Sequence, residues 1–126
     1  MGLVRSYRLR LQRKRWRIRA FRKRREIKSV ANRIGQIKPD DILCFSTLRN
    51  ERIRLPYFLE YYRDQGVNHF FIVDNDSDDG SLTYLMDQPD VSVWTTKASY
   101  KRSRFGVDWL NALQMKYAHG HWTLTV

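Results

Sequence analysis

The sequence predicts an α/β domain with a mostly parallel sheet, preceded by a basic helical segment. Three observations carry that expectation: two short apolar runs without alternation, an amphipathic helix between them, and a polar loop where each run ends. The domain boundaries that follow are 1–38 for the basic segment and 39–126 for the α/β body.

The charge distribution draws the first boundary. Of the 24 Lys and Arg, 15 lie in residues 1–38, against the single acid Glu26. That leaves 9 basic and 12 acidic residues, so the first segment carries +14 and the body −3. The pI of 10.2 therefore describes the segment and not the body. The apolar residues Val4, Tyr7, Leu11, Ile18 and Phe21 fall near helical spacing, with Lys14 breaking the stripe. A helix is expected because Arg, Lys, Leu and Gln are good helix formers and neither Gly nor Pro intervenes from Leu3 to Ile34. Ile27, Val30, Ile34 and Ile37 continue a helix-like spacing that can pack on the body. Three roles suit the segment: an amphipathic helix on an anionic membrane surface, a nucleic-acid contact, or a solvated tail. Of the two binding roles, nucleic acid is the less favoured.

Cys44 is the single cysteine, which excludes an internal disulfide and a cysteine-based metal site. Its apolar neighbours place it in the core, and a reducing compartment suits it. No apolar run approaches the ~18 residues of a membrane-spanning helix. Arg and Lys interrupt every apolar stretch before Pro39, so no signal peptide is visible. A cytoplasmic protein, peripheral to the membrane if the basic helix binds there, is the expectation.

Pro39-Asp40-Asp41 opens the body. Ile42–Thr47 reads as a strand buried on both faces, and Leu48–Arg54 as a polar loop. The next helix spans Leu55–Gln65, with Pro56 in its first turn, a stripe of Leu55, Phe58, Leu59 and Tyr62, and Gly66 as its stop. His69–Val73 is the second buried strand, and the crossover rule makes the two strands parallel neighbours. Asp74–Gly80 is a loop, Ser81–Met86 a short helix, and Val91–Trp94 a strand whose Ser92 suggests an edge. Thr95–Gly106 is a basic loop, Val107–Tyr117 a helix stopped by Gly120, and Trp122–Val126 a strand expected in the interior of the sheet. Because the chain ends within that strand, the domain is expected to continue beyond Val126.

Ligands of open α/β sheets bind beyond the carboxyl ends of the strands, where the strand order reverses. The loops Thr47–Arg52 and Asp74–Gly80 lie there. The second loop holds Asp74, Asp76, Asp78 and Asp79 within six residues. Such a cluster calls for cations, arginines or ligand donors. It is equally turn and capping chemistry, since Asn, Asp, Ser and Gly build such turns. An EF-hand calcium loop would need a terminal Glu and flanking helices, and both are missing. His119 and His121 flank Gly120 but have no third ligand nearby, so no metal site is assigned to them. Trp94, Trp109 and Trp122 read as core.

The stretch Val73-Asp74-Asn75-Asp76-Ser77-Asp78-Asp79-Gly80-Ser81 resembles the V-D-D-G-S-x-D-G-T loop of family-2 glycosyltransferases. Thr47-Leu48-Arg49-Asn50-Glu51 resembles their P-x-x-N-E. Asn111 followed by Gly120-His121-Trp122-Thr123-Leu124-Thr125-Val126 resembles their N … G-x-Y-x-x-x-L run. Leu59–Phe70 also resembles a subgroup with E-Y-x-x-x-x-G-V-x-x-F before the loop. The resemblance covers Asp41–Val126 and none of the basic segment. It implies a GT-A, Rossmann-like fold and transfer of a sugar from a nucleotide-sugar donor to an acceptor the sequence does not specify. Surface-polysaccharide or glycoconjugate synthesis is the implied setting. It also implies a divalent metal, Mn²⁺ or Mg²⁺, held by a D-x-D motif that would begin just after Val126. No catalytic residue and no metal ligand is therefore expected within this chain.

Carried over by position, Thr47, Asn50, Glu51 and Asn75 would line the pocket for base and ribose. Asn75 stands where the family has Asp, and Arg49 where an aromatic often stacks. Asp74 would shape the loop beside Asp76, while Lys101, Arg102 and Arg104 stand where basic groups could meet the diphosphate. The rival reading is a non-catalytic α/β module whose basic tail binds an anionic membrane or nucleic acid.

Overall fold

The computed structural model describes residues 2–126. A long helix, α1 (Gly2–Lys23), is followed by one 3₁₀ turn (Arg24–Glu26), strand β1 (Lys28–Ala31) and a second 3₁₀ turn (Ile34–Gln36). The body then alternates: β2 (Leu43–Leu48), α2 (Leu55–Asp64), β3 (His69–Asp74), α3 (Ser81–Met86), β4 (Val91–Thr95), α4 (Val107–Tyr117) and β5 (Thr123–Thr125). The sheet order is β1-β4-β3-β2-β5, with β1 antiparallel and the other four strands parallel.

β2 and β3 pair in parallel from Leu43↔His69 to Leu48↔Asp74, as the apolar runs require. All six residues of β3 are buried, because helices cover both faces of the sheet. On one face Cys44, Phe70, Ile72, Val91 and Val93 meet Leu55 and Leu59 of α2 and Leu85 of α3. On the other, Leu43, Phe45, Phe71, Val73 and Trp94 meet Trp109, Leu110 and Leu113 of α4. Phe45 and Phe71 stack at 4.5 Å between ring centroids. Burial pushes the Cys44 thiol up to about 12, so it stays protonated and acts as a small core hydrophobe. No described helix is long and apolar enough to cross a membrane.

Chain order reverses between β2 and β5. From β2 the sheet grows through β3 and β4 on one side, and then the chain returns to place β5 on the other. The C-terminal ends of β2 and β5 therefore flank the topological switch point.

Four expectations need correction. The basic segment is helical only to Lys23; beyond it, Lys28–Ala31 forms an edge strand on β4. Ile27, Val30, Ile34 and Ile37 do pack on the body, from a strand and turns rather than a helix face. The extra strand makes β4 interior. Ser92 is fully buried there because its hydroxyl accepts from Arg33 N (3.0 Å) and bonds His69 Nε2 (2.8 Å). β5 is an edge strand, since it pairs only with β2 among the described residues, and all three of its residues are exposed. Trp122 is not core. It is 85% exposed because it precedes that edge, where only its carbonyl is engaged, accepting from Leu43 N at 3.0 Å.

Candidate functional site

The two strand-end loops are tied together by their own side chains. Asn50 takes a left-handed conformation (φ 53°) that turns the chain after β2. Its N–H donates to Ser77 Oγ (2.8 Å), and its Oδ1 accepts from Asp78 N (2.9 Å). Glu51 N donates to Ser81 Oγ (3.1 Å) and Arg52 N to Asp79 Oδ2 (3.0 Å). Asn75 N closes the seam by donating to Leu48 O at 2.8 Å. The Arg52 guanidinium lies over the Tyr84 ring, 4.1 Å from its centroid. Adjacent parallel strands deliver both loops to the same end of the sheet, and these bonds fix their spacing.

The carboxylates are divided among turn-forming tasks. Asp79 accepts through Oδ1 from the backbone and hydroxyl of Ser81, and through Oδ2 from Arg52. The Ser81 hydroxyl, with the backbone donors of Arg52 and Ser81, holds the Asp79 carboxyl below the usual carboxylate range. Asp74 accepts from Ser77 N through Oδ2 (3.1 Å), while its buried Oδ1 has no partner among the described residues. Asp76 is exposed at φ 57°. No group of three His, Cys, Asp or Glu among the described residues is placed to hold a metal ion. The divalent ion that the resemblance implies would take its ligands from after Val126, and no chemical step is routed through it.

Asn75 is 6% exposed, and its Nδ2 donates to Thr96 O (3.2 Å) and Ala98 O (3.1 Å). Only an amide can do this, because a carboxylate would face two carbonyl oxygens. The loop after β4 is thus hung from the loop after β3. Thr47 fixes the far end of the same loop. A Cβ on Gly106 would come 2.6 Å from Thr47 Oγ1, which is itself buried without a partner among the described residues. With φ at +81°, Gly106 is required by both space and backbone conformation.

A cleft of about 280 Å³ opens at the switch point, lined by Thr47, Leu48, Glu51, Arg54, Phe58 and Val126 among others. Glu51 and Arg54, on one turn beside it, approach within 3.8 Å, Glu51 partly exposed and Arg54 largely so. Of the sequence candidates, Thr47 and Glu51 line this cleft. Asn50, Asp74, Asn75 and Asp76 belong to the loops beside it, and Arg49 is exposed. Lys101 is exposed in the loop before α4, with no ion pair among the described residues. Arg104 is committed elsewhere: its Nε donates to Asp108 Oδ1 (2.8 Å) and its guanidinium lies 3.9 Å from the centroid of the Trp16 ring. Sequence reasoning missed Arg54 and Phe58 in the cleft, and Ser77 and Ser81 in the seam. The i, i+3 spacing of Glu51 and Arg54 ahead of α2 was the available signal for the first.

No family model, curated protein or solved structure significantly matches this chain.

Proposed function

We propose that this chain is the nucleotide-binding part of a glycosyltransferase that uses a nucleotide-sugar donor, acting in the cytoplasm in surface-polysaccharide or glycoconjugate synthesis. One observation carries the reading. The two loops that bear the resemblance are cross-bonded into one unit beside a cleft at the point where strand order reverses, where α/β sheets bind nucleotides. The chemistry of the cleft agrees. Glu51 can accept from ribose hydroxyls, Arg54 can meet a phosphate, and Phe58 supplies an apolar wall. Both side-chain bonds of Asn75 use Nδ2, which leaves Oδ1 to accept from a base N–H.

Calorimetric titration of the chain with uridine, guanosine, cytidine and thymidine diphosphates tests this. One of them is expected to bind, and Glu51→Ala to weaken it by about 1–2 kcal/mol through loss of a ligand hydrogen bond. Binding of none of the four, or an affinity indifferent to Glu51→Ala, overturns the assignment.

A further inference from the structure

Helix α1 carries ten basic residues and no acid between Gly2 and Lys23. Only its second half is docked. Ala20 is fully buried, Trp16 lies under Arg104, and Arg19 Nε pairs with Asp108 Oδ2 at 2.7 Å. Every residue from Gly2 to Arg15 is exposed. Residues 16, 19 and 20 share one side of the helix, so the docking fixes which side faces outward. At 100° per residue the side opposite Trp16 and Ala20 holds, beside the cations Lys14 and Arg22, the apolar residues Val4, Tyr7, Leu11 and Ile18. All four are exposed, at 58%, 64%, 45% and 47%. Phe21 flanks the stripe at 56%, with the Arg24 guanidinium 3.7 Å from its ring centroid. Phe21 also lines a separate groove of about 670 Å³ against α4, apolar at Ile27 and Met115 and edged by Arg24, Arg25 and Lys116.

We infer that α1 docks the protein on an anionic phospholipid surface, with the outward stripe among the acyl-chain boundary and the flanking arginines on lipid phosphates. A nucleic acid would satisfy the charge but would gain nothing from an apolar stripe between the cations. A lipid interface uses both: apolar side chains enter it, and Arg stems lie along it with their heads at the phosphates. The pairing with Asp108 holds the helix so that the stripe points away from α4 and the groove edge shares Phe21 with it. This inference does not depend on the nucleotide reading, because no residue of α1 lines the strand-end cleft.

Flotation of the full chain with phosphatidylcholine vesicles, with and without phosphatidylglycerol, tests it across a sodium chloride series. Binding is expected to be at least about tenfold stronger to the anionic vesicles and to weaken as salt rises. The double variant Leu11→Gln/Ile18→Gln keeps every charge and alters only exposed positions. It is expected to lose about tenfold in vesicle binding while eluting from heparin at the wild-type salt concentration. Circular dichroism of the double variant should match wild type, which separates lost docking from lost folding. Vesicle binding unchanged in the double variant overturns the proposal, as does absence of wild-type binding. Tighter binding to single-stranded RNA than to anionic vesicles, unaffected by the double variant, would assign the helix to nucleic acid instead.

Discussion

Asp108, in the seam between α1 and α4, and Asp74, in the loop after β3, are equally buried at 0% and 1% exposure, yet only Asp108 is matched by cations. Arg19 holds one of its oxygens and Arg104 the other, at 2.7 and 2.8 Å. Asp74 receives one backbone N–H on Oδ2 and nothing from the described residues on Oδ1. A carboxylate saturated on both oxygens is a structural bolt. One left half-satisfied at the end of a parallel strand keeps an unmatched oxygen inside the fold. The α1–α4 seam is therefore closed chemistry, whereas the strand-end loops are shaped by internal bonds but not exhausted by them.

Substitutions sharpen that contrast. Asp108→Asn is expected to have the largest effect, about 2–3 kcal/mol of lost stability in urea denaturation. It removes the charge that two guanidinium groups share at a fully buried oxygen pair, and their partial exposure keeps the cost below that of a wholly buried pair. A loss below about 0.5 kcal/mol would show that the seam is not anchored there. Asn75→Asp comes next, at about 2 kcal/mol, because the new carboxylate would meet Thr96 O and Ala98 O with no proton to offer. Stability unchanged from wild type would mean that the amide does not hang the loop after β4.

Gly106→Ala is expected to cost about 1–2 kcal/mol, from the clash with Thr47 and from the positive φ. Thermal melts of the double variant Gly106→Ala/Thr47→Ala, which removes the hydroxyl oxygen at 2.6 Å and the methyl at 3.0 Å, should recover part of that loss. Full additivity of the two changes would deny the contact.

The smallest effect is on pH dependence. Burial holds the His69 imidazole below its ordinary value of 6.5, against the opposing influence of Asp90 and Asp41. A lowered folded pKa means that the unfolded chain takes up a proton first as the pH falls. Stability should therefore be intact above about pH 6.5 and decline as the pH falls below that value toward the lower folded pKa. Denaturation midpoints measured from pH 8 to pH 5 should show this decline, and His69→Gln should flatten it. An identical decline in His69→Gln would assign the effect to other groups.

How much of this was legible in the sequence depends on where each partner lies. The parallel core was legible because Leu43–Leu48 and His69–Asp74 are apolar without alternation, and double-sided burial leaves that mark in consecutive residues. The helices Leu55–Asp64 and Val107–Tyr117 were likewise set by local periodicity and by the glycine stops Gly66 and Gly120. β1 was not legible, because Lys28–Ala31 has no strand pattern of its own and forms by pairing with β4, some 60 residues later. Ser92 looked like an edge for the same reason: its buried partners, Arg33 N and His69 Nε2, are distant in sequence.

The candidate site divides in the same way. Its loops could be placed from the strand ends, and the Asp, Asn and Ser content announced their internal bonding. What the sequence did not reveal was how those side chains are allotted. Arg104 reads as a free cation beside the loops, but Asp108, four residues on, and Trp16, from the far end of the chain, take it up. Asn75 reads as a departure from an acidic position, and the structure supplies its reason in two carbonyl oxygens that no carboxylate could satisfy.

Mapping the response of backbone amides by nuclear magnetic resonance, with the chain titrated by the diphosphate that binds in calorimetry, tests the central claim most directly. The account predicts shifts concentrated in residues 47–54 and 74–80, where the loops are cross-bonded, with Arg19, Ala20 and Asp108 in the α1–α4 seam unmoved. Shifts confined to the seam or to α1, with both strand-end loops silent, would contradict it.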